Sequence, residues 1–536
     1  MKRRDSKRRR TRRAVGPGRS RGRKRAPSAE AVRFETELTV LGEPLLEFAY
    51  GQTMQDPHDG LTVFGPYDLH ASAHPKNLVL GLIATTEGKR KFIDWVKSAQ
   101  GPIAPGKNRR GEDLDARLWP VFPGFEAVFG CKLPSEPAWF HRLEQDDLER
   151  VCLDLDTKKR AHAAVEQYLA GIRLTEKKDE QFNVLVCVVP DVVKKACRPK
   201  SYVADGTGYA VSSHEQQLRA SGQTDFFDAY DPEIYRYSED FRRQLKARSM
   251  QYKVPVQIIK ESTITPPLPG HKLLTSPPSD VAWNLLTTIY YKAGGKPWRL
   301  AAARPGVCYV GIAFRRTDPT SSSRSACCAA QMFLDSGDGI VFLGDSGLWY
   351  SPERKQFHLS PEAAEKLLRG VLESYRQLEG QPLTEIFLHC RSGILGEEFA
   401  GYHAACPGGT KLVGVRVRKD RDGLRFFREG KYPPVRSSVW IPHPTTAYLY
   451  ASGVVPRLGT YPGTEAPVPL RIDVQHGEAD IVQVARDILA LTKLNYNECK
   501  FGDSEPVTIG FSDAVGEILV SNPTVKNPSP KFKFYI

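Results

Sequence analysis

The strongest constraint on the fold is a series of short apolar runs alternating with amphipathic ones. Residues 77–85 and 182–189 are nearly continuous in Val, Leu and Ile. A strand with one wet face alternates in polarity, whereas a run that is apolar on both sides belongs to a sheet covered on both faces. Near these runs lie stretches with helical period, at 89–99 and around 160–170. Strand and helix in this order predict a parallel sheet between helices. A helix over 239–250 and a strand over 254–259 extend the pattern. Residues 34–70 read as a short β-rich unit, 198–232 as a long surface loop, and 262–280, with five prolines, as irregular chain.

The second half has a different rhythm. Strands are expected at 307–314, 383–389, 411–419 and 424–428, and a hairpin at 329–344 around Ser336-Gly337-Asp338. Helices are expected at 360–378, 397–405 and 479–491. A hairpin-rich sheet followed by helix, strand and more helices is what a ribonuclease-H-like fold produces, although other mixed α/β folds fit the same order.

Charge separates the chain into two unequal parts. The net charge is +14, and residues 1–25 hold fourteen Lys or Arg against one acid, Asp5. The remaining chain is close to neutral, so any nucleic-acid groove in it must come from local clustering. Residues 1–30 read as a disordered basic tail attracted to phosphates without sequence preference. No apolar run reaches the roughly 18 residues of a membrane span, and no apolar segment follows the basic start as in a secretory signal. Ten cysteines without a Cys-x-x-Cys pair argue against a disulfide framework or zinc site and suit a reducing cytoplasm.

Several stretches carry a resemblance. Tyr291-Lys292-Ala293-Gly294-Gly295-Lys296-Pro297-Trp298-Arg299-Leu300, then Tyr309-Val310-Gly311-Ile312, resembles the junction of MID and PIWI domains in Argonaute proteins. Leu491-Thr492-Lys493-Leu494-Asn495-Tyr496-Asn497, Pro506-Val507-Thr508-Ile509 and the closing Phe534-Tyr535-Ile536 are similar to the end of prokaryotic PIWI domains. Fewer than 300 residues precede the junction, which leaves no room for a PAZ domain. The resemblance implies a short prokaryotic Argonaute: a tail (1–30), a β-rich segment (31–75), a Rossmann-like MID domain (76–285) and a ribonuclease-H-like PIWI domain (286–536).

That resemblance implies site residues. A guide 5′-phosphate would be held by Arg242 and Lys246, one turn apart on a helix, with Gln257 and Lys292. Arg242 stands where the family has Tyr, exchanging a ring for a planar donor fork. A terminal phosphate carries about −2 charge, and Gln257 with the carboxylate of Ile536 would help hold Mg²⁺ there. The family cuts with carboxylates that clamp two metal ions. Ala313 and Ser392 stand at the first two Asp positions, leaving Asp513 as a match to the fourth, so no cleavage is expected unless Asp318 or Asp345 supplies a carboxylate. Residues 411–436 hold nine Lys or Arg, and Arg416 and Arg418 share one strand face as candidate backbone contacts.

The implied role is guide-dependent recognition of complementary nucleic acid, with a guide expected to be RNA and a single-stranded DNA target. Output would come from a separate effector carrying a PAZ-like analogue and an NAD-consuming TIR or sirtuin-like enzyme. This chain has no Gly-x-Gly-x-x-Gly after a strand. A guided nuclease with an unrecognised metal site and a nonspecific single-strand binder remain alternatives at this level.

Overall fold

The computed structural model describes residues 38–536 apart from 109, 179–180, 200, 202–231, 236, 266–275, 317–325, 334–338, 345–347, 352–355, 379–381, 422, 520, 523–528 and 530. The basic tail, most of the 198–232 loop, Ser336-Gly337-Asp338, Asp318 and Asp345 lie outside the described residues.

The first described segment is less β-rich than its sequence suggests. It contributes three two-residue strands, β1 (Thr39–Val40), β2 (Leu46–Glu47) and β3 (Thr53–Met54), then a helix, α1 (Pro57–Phe64). Asp56 caps α1 by accepting from the His58 amide at 3.0 Å, and Pro57 fills the first helical position, where its missing N–H costs nothing. β1 and β2 do not form a unit of their own. They pair with strands far along the chain, as described below.

A four-stranded parallel sheet follows, in the order β5-β4-β6-β7. It is built from β4 (Leu80–Ala84), β5 (Trp139–Arg142), β6 (Val184–Val189) and β7 (Val256–Lys260). Its helices include α2 (Thr86–Ser98), α3 (Thr157–Thr175), α4 (Asp191–Ala196) and α5 (Phe241–Ser249). Thr85 and Asp240 cap α2 and α5 by accepting from the amides of Gly88 and Arg243, each at 3.0 Å. All six β6 residues are buried. Val184, Val186 and Val188 face the core of Phe92 and Trp283, and Leu185, Cys187 and Val189 face Val165 and Tyr168 of α3. Two-sided burial is why the sequence there is uninterrupted in apolar residues.

The linking helix α6 (Pro278–Lys292) runs through position 285/286 and leads to β8 (Arg299–Leu300), which pairs with β2. A nine-stranded sheet follows, in the order β1-β16-β17-β18-β15-β14-β9-β10-β11. Its strands are β9 (Val307–Arg316), β10 (Ala326–Phe333), β11 (Gly339–Gly344), β14 (Glu385–Cys390), β15 (Lys411–Lys419), β16 (Ser438–His443), β17 (Thr446–Leu449) and β18 (Leu470–His476). Between them, β12 (Leu348–Ser351) and β13 (Gln356–Leu359) make a separate antiparallel pair. β14 is parallel to both β9 and β15, and the other pairings are antiparallel. α7 (Pro361–Leu378) and α8 (Gly396–Ala405) cover one face, and α9 (Ile481–Leu491) and α10 (Val507–Leu519) pack on the other. The chain is thus a mixed α/β protein with one large sheet.

Two expectations change. Residues 424–428 are not a strand. The Asp420 carboxylate accepts from the Leu424 amide at 3.0 Å, and the Arg425 guanidinium donates to the Asp420 and Arg421 carbonyls, so this segment closes on itself as a loop. Residues 507–519, which carry no clear helical signal, form α10. Gly311 makes its docking possible: a Cβ there would lie 1.9 Å from the Thr508 carbonyl oxygen.

Candidate nucleic-acid interface

The fold collects the residues expected to hold a phosphate. α5 carries Arg242 and Lys246, β7 carries Gln257, α6 ends on Lys292, and the last residues fold back beside them. Lys246, Lys292 and Gln257 are buried, whereas Arg242 is exposed at the rim. Lys292 Nζ donates to the Val256 carbonyl at 2.9 Å and to Gln257 Oε1 at 2.7 Å. Lys246 Nζ donates to the main-chain oxygens of Tyr535, at 3.2 Å, and Ile536. The closing segment is anchored by burial of Phe532, Phe534, Tyr535 and Ile536.

Lys292 Nζ is held only by neutral oxygens, whereas Lys246 Nζ also meets an oxygen of the closing Ile536 carboxylate. Burial, then the nearby Lys292 and Arg242, pull the pKa of Lys246 well below a lysine's ordinary 10.5. Burial and Arg242 do the same to Lys292. Such shifts mean that the charged form lacks compensation. Lys533 belongs to the same group: its Nζ donates to the Lys292 carbonyl at 3.3 Å, and burial lowers its pKa. Sequence reading missed Lys533. Its one signal is the alternation Lys531-Phe532-Lys533-Phe534, which puts both lysines on the side away from the apolar anchors.

The donor set does not fit a resident divalent cation. Gln257 Oε1 and the Ile536 oxygen, both expected to face Mg²⁺, each accept from a lysine ammonium. Among the described residues, no three His, Cys, Asp or Glu side chains cluster as metal ligands.

A second charged group sits where β9 and β14 end. Ile312 and Cys390 are register partners, which brings buried Ala313 beside the turn Arg391-Ser392. Ser392 Oγ and Cys390 Sγ share a hydrogen bond at 2.9 Å. Asp513 projects from α10 to Arg391 Nη1 at 2.9 Å, and Glu505 meets Arg391 Nη2 at 3.1 Å. Lys419 lies 3.5 Å from Glu505. Behind them His389 bonds Thr508 Oγ1 at 2.9 Å, and burial drives its pKa down to about 3, so the ring is neutral. Arg416 Nε donates to the Arg391 carbonyl at 3.3 Å. Arg416 and Arg418 are half-buried on one face of β15, as the period of two requires.

No family model matches the sequence, and no curated protein matches it at a significant level. Solved structures do match. The structure of Clostridium butyricum Argonaute bound to a guide DNA with a 5′ deoxycytidine and a 19-mer target DNA aligns over 93% of this chain with a TM-score of 0.58 and 16% identity. The fold is that of Argonaute proteins. A. aeolicus Argonaute aligns over 92% with a TM-score of 0.53 and 14% identity, both by itself and in a structure with externally bound siRNA. The chain spans just over half the length of these Argonautes, 55–56%. Among the described residues, no helix is long and apolar enough to cross a membrane.

Proposed function

We propose that this chain is a short, non-cleaving Argonaute that binds a guide by its 5′-phosphate and recognises a complementary single-stranded target. In this reading the four-stranded parallel sheet is a Rossmann-like MID domain and the nine-stranded sheet a ribonuclease-H-like PIWI domain. The observation that carries it is the convergence of Lys246 and Arg242 of α5 with Lys292 at the end of α6, where burial, Lys292 and Arg242 lower the pKa of Lys246, and burial and Arg242 lower that of Lys292. A dianionic phosphate supplies counter-charge to Lys292 and Arg242 and accepts charge-assisted hydrogen bonds. The solved Argonautes of this fold include one that holds both a guide and a target.

The second charged group supports a non-cleaving PIWI domain. Two-metal chemistry needs carboxylates free to clamp cations. Asp513 and Glu505 are instead engaged by Arg391 and Lys419, and Ala313 and Ser392 contribute none. The recognition event therefore passes to a separate cytoplasmic effector with a PAZ-like analogue and an NAD-consuming TIR or sirtuin-like enzyme. Target pairing acts as the ligand that favours the active state.

The test compares guides with 5′-phosphate and 5′-hydroxyl ends, then matched and scrambled targets, in direct binding measurements. Tight loading of the phosphorylated guide followed by preference for its complement is expected. Equal binding of every strand would leave a nonspecific binder. Adding the effector and following NAD with and without target tests the output.

A further inference from the structure

The half of the large sheet beyond β14 presents a surface that the phosphate pocket does not use. On this face, α7 and α8 cover β9, β14 and the start of β15, where Val310, Ile312, Leu388 and Leu412 are buried. Further out, buried and half-buried residues alternate along the end of β15 and along β17 and β18. The buried set, including Val417, Leu449 and Ile472, packs toward α9, so the half-buried set faces outward.

Strand register arranges that outward set into a row. Arg418 of β15 lies opposite Arg471 of β18, Arg471 opposite Tyr448 of β17, and Tyr448 opposite Trp440 of β16. The row crosses four strands and is about 14 Å long at the usual strand spacing. The Arg471 guanidinium lies 5.9 Å from the centre of the Tyr448 ring. Tyr448 stacks with Trp440 at 5.5 Å and 28°. Two residues along the strands, Arg416, Asp473 and Thr446 form a parallel row.

The charges in this patch do not cancel. Three guanidinium groups share it with the Asp473 carboxylate, which already accepts from Arg471 Nε at 3.0 Å, and with Asp420, which also acts on Arg471. Arg418 directly opposite Arg471 is a like-charge pair of the kind that weakens a sheet. Arg418 Nε is buried with no hydrogen-bond partner. An anion resolves both features. The half-exposed rings in the same row add a demand that a simple anion does not meet, because they offer flat apolar surface beside the positive charge.

Single-stranded nucleic acid meets both demands, since it presents phosphates and unstacked base faces together. A duplex keeps its base faces inside the helix. We infer that the Arg418–Arg471–Tyr448–Trp440 row binds single-stranded nucleic acid, with phosphate on the two arginines and an unpaired base against the two rings. This rests on the guide-and-target reading above and assigns to it the unpaired part of a strand, which leaves along the outer half of the sheet.

The test uses full-length protein loaded with a 5′-phosphorylated guide. Target strands carry 5-iododeoxyuridine either in the paired segment or in an unpaired extension, and photo-crosslinks are mapped by mass spectrometry. Crosslinks from the extension to Tyr448 or Trp440 are expected in the wild-type chain, which avoids any folding penalty of a variant. Tyr448→Leu should weaken targets with an extension by roughly tenfold and leave blunt duplexes unchanged, while Tyr448→Phe keeps the wild-type affinity. Arg418→Gln should lower the salt slope for extended targets by about one. Crosslinks confined to other residues, or equal losses on blunt and extended targets, overturn the inference while leaving guided binding intact. A wild-type chain that binds neither guide nor target overturns the parent reading, and this one with it.

Discussion

The pocket beneath α5 and the cluster at the ends of β9 and β14 are both built from charged side chains, but they are balanced in opposite ways. Beneath α5, Lys246 and Lys292 are buried against main-chain and amide oxygens, and burial, with Arg242 beside both and Lys292 beside Lys246, pulls their pKa values down. At the strand ends, Arg391 and Lys419 already neutralise Asp513 and Glu505. The first group gains from an incoming anion. In the second, the described carboxylates Asp513 and Glu505 are already paired.

The largest test of this contrast is all-or-none. Guide-loaded protein with Mg²⁺ or Mn²⁺ should give no site-specific product on a matched target. Ala313→Asp combined with Ser392→Asp should still give none, because Arg391 continues to occupy the neighbouring carboxylates. Product from that double variant with Arg391 in place would show that the ion pairs do not close the site.

Next in size is the pocket itself. Lys292→Met and Lys246→Met each remove one charge-assisted contact at nearly constant volume. Loss of such a contact costs about 1.5–3 kcal/mol, so phosphorylated guides should bind about ten- to a hundredfold more weakly. Guides ending in a 5′-hydroxyl should hardly change. Equal losses for both guide types would place these lysines on a general backbone track.

A smaller effect should appear in pH. The folded-state pKa of each lysine lies below its ordinary 10.5. The unfolded chain then binds more protons between the two values, so the stability of the empty protein should rise with pH through that window. Guide binding should run the other way. Raising pH deprotonates the lysines and erodes the preference for a 5′-phosphate. Parallel titrations of melting temperature and of the affinity ratio between the two guides check both signs, and a ratio that grows with pH would break the assignment.

The smallest effects are expected from metal removal and from the closed cluster. Chelating divalent cations should shift the affinity of phosphorylated guides by less than about threefold, because lysines already hold both candidate oxygen ligands. Arg391→Ala should cost no more than about 1 kcal/mol of stability, the usual worth of an ion pair with one exposed partner, as read by denaturant titration. A large chelation effect would restore a metal to the pocket.

How much of this was legible in the sequence depends on which interactions shaped each segment. β6 and β9 were visible because burial on both faces leaves an apolar run. β15 was found with its end residues intact, since its outer half alternates between Val and Arg. β16, β17 and β18 were not identified: they are short, half-wet and rich in polar residues. α10 was hidden by Gly510, Gly516 and β-branched residues that are poor helix formers, and it is held by docking at Gly311. In the pocket, Arg242, Lys246, Gln257 and Lys292 were readable through family resemblance, because each sits on a regular element. Lys533 and the pairing of Arg391 with Asp513 and Glu505 were not, since they arise from contacts between segments more than a hundred residues apart.

The short strand β1 closes the outer edge of the large sheet by pairing with β16, and Glu43 just beyond it bonds Arg436 at 3.1 Å and Lys493 at 2.9 Å. Glu43 and Arg436 are 393 residues apart. A ribosome adding roughly 5–20 residues per second makes the first of these partners wait about 20–80 s for the second. Throughout that interval the emerging chain carries a strand and a carboxylate with nowhere to go. The segment from β1 to Glu43 is thus among the last to find its place, and slowing synthesis of the residues that follow should leave that segment open to proteases and to self-association.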